Sequence, residues 1–186
     1  GWGEARTGFV SIARPIVFAV TGPVAGYLTV RVGERVNGLV GGLTIVASMV
    51  GLALVGADTS TLFIVVVLGL SGFGQGTATP AMATAVANAV DEVDLGVATA
   101  FQQMCGQIGT VLGTQVLLTT QAATVVEDPS IAELATSYHW AYLAGAAGAL
   151  AGALAALFVS GRARRSGGTE LTVEEIEAID RAIPAT

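Results

Sequence analysis

Arg14 is the only charged residue set well inside an apolar run of this 186-residue sequence. Further along, Gln103, Gln107, Thr110 and Thr114 recur at helical spacing, and so do Thr77, Thr84 and Asn88 in the run before them. On a helix each set shares a face. Amides are costly in an apolar surrounding, so both faces are expected to turn inward. There they either hydrogen-bond helix to helix or line a water-filled path for a solute. Arg14 has two readings as well. It is a structural arginine whose stem carries the guanidinium to an interface about 10 Å away at 1.5 Å per residue, or it contacts a substrate or a partner acid.

Reaction chemistry is sparse. His139 is the single histidine and stands beside Trp140 at the start of an apolar run. Cys105, the single cysteine, lies between Met104 and Gly106, which excludes an internal disulfide and a multi-cysteine metal site. No Ser, His and acid cluster is visible, so neither an enzyme nor a metal or cofactor site is expected. None of the acids is expected inside an apolar run. A proton-coupled carrier needs a membrane-embedded acid whose pKa swings with access, and this stretch is not expected to supply it.

Five apolar segments must position these residues: about 8–30, 37–56, 61–90, 95–121 and 138–160. Each has the roughly 20 residues a helix needs to cross a bilayer. None alternates with period two, which argues against a transmembrane barrel. Hydrophobic residues make up 53% of the chain and charged residues 12%, about half the charged share of a soluble domain. Those charges fall in short clusters between the segments. The expected fold is therefore an all-α, polytopic membrane helix bundle over residues 1–160, with the lipid bilayer as its solvent. The net charge of −6 includes several acids of the last 17 residues, and no nucleic-acid partner is expected.

The connections are Arg31–Val36, Ala57–Ser60, Asp91–Asp94 and a longer one from Ala122 to Ser137. Basic residues near segment ends set orientation. Arg31 and Arg35 share a side with Arg162, Arg164 and Arg165, while the opposite side has Arg6 as its only base. The first turn and the C-terminus are thus expected in the cytoplasm of a multi-pass protein of the cell membrane. Residues 161–186 form a cytoplasmic tail. There Thr172 and Glu175 have capping-box spacing, and Val173, Ile176, Ile179 and Ile183 form one stripe of a short acidic amphipathic helix.

Small residues at intervals of four let membrane helices approach closely. They occur at Gly22/Gly26, Gly38/Gly42, Gly72/Gly76, Gly109/Gly113 and Gly148/Gly152. Pro80, midway along the third segment, removes one backbone hydrogen bond and is expected to bend or loosen it. Gly33 supplies the backbone freedom for a sharp reversal between the first two segments.

The stretch "ARPIVFAVTGPVAGYLTVRVGERV" resembles a segment of the major facilitator superfamily, in particular its fourteen-helix drug/proton antiporter family. Arg14, Pro23, Gly26, Leu28, Arg31, Gly33 and Arg35 carry the likeness, while Val30 stands where that family usually has Asp. The stretch "GLSGFGQGTATPAMATAVANAVDEVDLGVATAFQQMCGQIGTVLGTQV" is similar to that family's penultimate helix pair, through Gly72, Gly74, Gly76, Pro80, Gly96, Ala98, Gln103, Gly109 and Gly113.

The resemblance implies the C-terminal portion of a secondary active transporter, with an N-terminal half of the same protein missing from this sequence. It implies a small-molecule substrate such as a drug, export by alternating access, and the proton as coupling ion. Arg14, Asn88, Gln103 and Gln107 are the expected substrate-path residues. Gly26, Arg31, Gly33 and Arg35 form the expected cytoplasmic loop motif. Gly72, Gly76, Pro80, Gly109 and Gly113 are the expected packing and gating positions. The alternative is a non-transporting membrane scaffold in which the glycine faces only assemble helices.

Overall fold

The structure, a computed structural model, describes residues 4–56, 59–124 and 131–158. The amphipathic tail helix expected after residue 161, with its Thr172/Glu175 pair, lies outside the described residues, as do parts of two connections.

Six helices follow one another: α1 (Glu4–Ser11), α2 (Ala13–Val32), α3 (Glu34–Ala53), α4 (Thr61–Ala89), α5 (Leu95–Thr124) and α6 (Ile131–Ala155). Short 3₁₀ turns at Glu92–Asp94 and Ala156–Phe158 complete the described chain. Residues 8–32 act as one apolar span despite the break between α1 and α2. The bundle has two ends. One carries the α2–α3 turn, the end of α4 and the end of α6; the other carries the end of α3 and the start of α4.

The expected six-residue connection Arg31–Val36 is in fact a single residue. α2 closes at Val32 and α3 opens at Glu34, with only Gly33 between them. Gly33 has φ 95° and ψ 150°, a conformation open to glycine and strained for other residues. Its N–H donates to the Thr29 carbonyl at 2.9 Å, and its own carbonyl accepts from the Asn37 N–H at 3.3 Å. Both helices are thereby satisfied without an intervening loop. At the start of α4, Ser60 caps the helix by accepting from the Phe63 N–H at 3.3 Å. α4 then runs unbroken through Pro80 to Ala89.

α4 packs against both α2 and α3, α6 lies against α3, and α5 rests mainly on α6. The packing polarity is the reverse of a water-soluble protein. Ser48 and Ser137 are fully buried and Thr29 and Asn37 nearly so, whereas Phe9, Val30, Tyr27 and Trp140 point outward. A water-soluble fold hides its large apolar side chains. A bundle in lipid leaves them outside and packs small residues within.

Four helical spans are long and apolar enough to cross a membrane: Gly8–Val32, Glu34–Ala53, Thr61–Ala89 and Thr136–Phe158. Five were expected. α5 is long enough at 30 residues, but it falls short in apolarity because Gln102, Gln103, Gln107, Gln115 and Gln121 interrupt it. α5 continues past the expected end at 121 to Thr124, and α6 starts at Ile131, before the expected 138, since a helix continues through polar residues that bound an apolar run; α6 ends at Ala155, short of the expected 160.

Candidate functional site

The α2–α3 turn is built around a buried polar knot. The Thr29 hydroxyl donates to the Ala25 carbonyl at 2.7 Å. Across the turn, the Asn37 amide nitrogen donates to that carbonyl at 3.1 Å and to the Thr29 hydroxyl oxygen at 2.6 Å. Buried polar groups must find such partners, and these fasten the first turn of α3 to the last turns of α2. Arg31 and Arg35 are exposed beside the knot, and the Arg31 guanidinium sits 4.9 Å from the centre of the Tyr27 ring.

Glu34, expected within the connection Arg31–Val36, is instead at the helix end and buried. It is the first residue of α3 and is 7% exposed. Its Oε1 is buried and finds no hydrogen-bond partner among the described residues. The first-turn position is favourable for a carboxylate, because free N–H groups and the helix dipole face it. Sequence reading placed Glu34 in a loop by starting the second segment at residue 37. The signal available was Gly33, since one glycine suffices to reverse the chain.

Glu34 lines a cavity of about 800 Å³ between α3, α4 and α6 at the turn end. Asn88, near the end of α4, is on the same wall, and the remaining lining is Gly, Ala, Val, Ile and Met. Of the expected path residues, only Asn88 borders this cavity.

Arg14 lies elsewhere. It is exposed on α2, and its Nη2 donates to Gln75 Oε1 on α4 at 3.3 Å. Sequence reading did not single out Gln75, although it is the one amide inside the glycine-rich run of α4. Gln103 and Gln107 are exposed on α5, where Thr110 and Thr114 return their hydroxyls to the helix's own carbonyls at 2.9 and 2.8 Å. The residues expected to form one path therefore occupy three separate places in the described part of the bundle.

The glycines divide in the same way. A Cβ on Gly72 would overlap the Arg14 carbonyl, and one on Gly76 would lie 3.0 Å from Thr21 Cβ. At Gly26 the nearest atom would be Pro80 Cβ at 3.9 Å, so α2 passes α4 close to the proline. Gly109 and Gly113 meet nothing within 4 Å. The tightest approach between α3 and α4 instead involves Gly41 and Gly74.

At the opposite end, His139 Nδ1 is 2.8 Å from the carbonyl of Ala53, the last residue of α3. A carbonyl only accepts, so Nδ1 carries the proton and the ring caps the helix end. Cys105 is an exposed free thiol, and no group able to hold a metal occurs among the described residues.

No curated protein and no solved structure matches the chain. The family comparison does match, and it spans residues 1–181, nearly the whole sequence. With its all-helical bundle, its apolar exterior and that match, the chain belongs to the Major Facilitator Superfamily, a family of membrane transporters.

Proposed function

We propose that this chain is the C-terminal part of a secondary active transporter that exports drugs or other small molecules from the cell by alternating access, in exchange for protons. The observation that carries the reading is the family match over residues 1–181. The close approach of α4 to both α2 and α3 through Gly72, Gly76, Gly41 and Gly74 supports it, as small residues at helix contacts are the mode of packing in membrane bundles. The superfamily works through paired repeats moving about a midplane site.

In this reading the α2–α3 turn and the C-terminus face the cytoplasm, in accord with the arginines near them. Arg14 with Gln75, Asn88, and the Gln103/Gln107 face of α5 contribute to the substrate path. The exposed polar face of α5 is suited to a surface completed by the transporter's other half, since amides are costly against lipid. Gly72, Gly76 and Pro80 form the moving contact with α2.

The test is dye efflux by the full-length protein in vesicles carrying a proton gradient. Concentrative export that stops when the gradient is collapsed is the expected result. Export that survives collapse removes proton coupling, and the absence of any transport removes the reading.

A further inference from the structure

We propose that residues 172–183 of the tail form an amphipathic helix whose apolar stripe, Val173, Ile176, Ile179 and Ile183, seats in the cavity between α3, α4 and α6. This segment lies outside the described residues and follows them in the chain. The proposal goes beyond the transport reading and does not depend on it.

Position and tethering favour this occupant. The cavity of about 800 Å³ is walled almost wholly by small and apolar residues, and open space of that size in a packed bundle is costly unless something apolar fills it. Ala155, which ends α6, and Ala156 beside it line the cavity, so the tail departs from the cavity's own wall. Residues 159–171 separate Phe158 from Thr172 and span up to about 45 Å when extended. Ser166, Gly167 and Gly168 among them put no bulky side chain in the way of a reversal. A tethered segment meets the cavity at a high effective concentration, an advantage that a separate partner lacks.

Dimensions and charge agree. The α4 wall, Ala78 to Ala89, is about 17 Å long at 1.5 Å per residue, and Val173 to Ile183 is about 15 Å. On the α6 wall a Cβ at Gly152 would meet nothing within 4 Å, which leaves room for branched side chains entering from outside. Met82 on α4 is 57% exposed and supplies an adaptable apolar contact. The other faces of the tail helix carry Glu174, Glu175 and Glu177. Arg31 and Arg35 stand exposed at this end of the bundle, and Arg35 shares a face of α3 with the lining residues Gly38 and Gly42. Asp91, Glu92 and Asp94 are exposed at the α4–α5 connection, so an acidic helix is drawn to the α3 side of the cavity.

The experiment is photo-crosslinking of the full-length protein in nanodiscs, with Ile176 replaced by p-benzoylphenylalanine, followed by mass mapping of the adducts. The expected product joins residue 176 to the α4 peptide holding Met82 within one chain. Placing the probe at Glu174 instead, about 160° round the helix, should lower that yield severalfold. Gly152→Leu fills the cavity from α6 and should lower the yield from position 176 severalfold at an unchanged melting temperature. Ile179→Asp alters the tail alone and should do the same, which decides the matter if Gly152→Leu does not fold. Adducts confined to lipid, to another part of the chain or to a second copy overturn the proposal. Equal yield from the two probe positions overturns it too, as does a yield that either substitution leaves unchanged in folded protein. Efflux plays no part in the readout, so failure of the transport reading leaves this one standing.

Discussion

Gly41 and Gly74 face each other across the α3–α4 crossing so closely that a Cβ on either residue would lie within 2.8 Å of the other's carbonyl oxygen. The contact is backbone against backbone, and neither helix can give way without the other moving. Gly41→Val and Gly74→Val should each destabilise the bundle by about 1–3 kcal/mol, the usual range for overpacking. Thermal melting in detergent checks this. Gly109→Ala is the control: nothing lies within 4 Å of its Cβ, and alanine is the better helix former, so its melting temperature should be unchanged or slightly higher.

Gly33→Ala tests the one-residue turn. At φ 95° and ψ 150° the backbone lies where a side chain is strained by about 1–3 kcal/mol. Lower stability is expected with the membrane topology intact. Unchanged melting would mean that α2 and α3 are joined by a different turn.

Asn37→Leu tests the knot beneath that turn. It removes the donor shared by the Ala25 carbonyl and the Thr29 hydroxyl and leaves a buried carbonyl with one bond fewer. The expected loss is about 1–3 kcal/mol. Because Thr29 still donates to Ala25, the double variant with Thr29→Val should lose less than the sum of the two single changes.

These positions differ in how far they could be read from sequence. The two arginines and Gly33 announced a turn at the right place because charges break an apolar run and glycine permits reversal. The same reasoning overestimated its length, since hydropathy does not register that Glu34 through Val36 are already helical. The fate of Glu34 depends on what α4 and α6 place beside it, and composition carries no such information. Glycine spacing identified α4 as a packing helix. It selected Gly38 and Gly42 on α3, whereas the closest contact with α4 is made by Gly41, because helix rotation is set by the neighbours. The amides of α5 were legible as a face, but what covers that face is not fixed by the residues of α5.

Arg14→Ala and Gln75→Ala address the substrate path. Arg14 Nη2 and Gln75 Oε1 are 3.3 Å apart on the exposed surface between α2 and α4. Each substitution should reduce dye efflux severalfold at unchanged membrane levels, and the double variant should be no worse than the weaker single variant if the two act as a unit. Efflux unchanged by Arg14→Ala would remove that residue from the path.

Lipid is the solvent for these helices, as the buried Ser48 and Ser137 and the outward Phe9 and Val30 indicate. The most direct measurement is alkaline carbonate extraction of membranes from cells expressing the full-length protein, followed by detergent. The protein should remain in the membrane pellet at high pH and leave it only with detergent. Release into the supernatant as a monodisperse species without detergent would contradict the account.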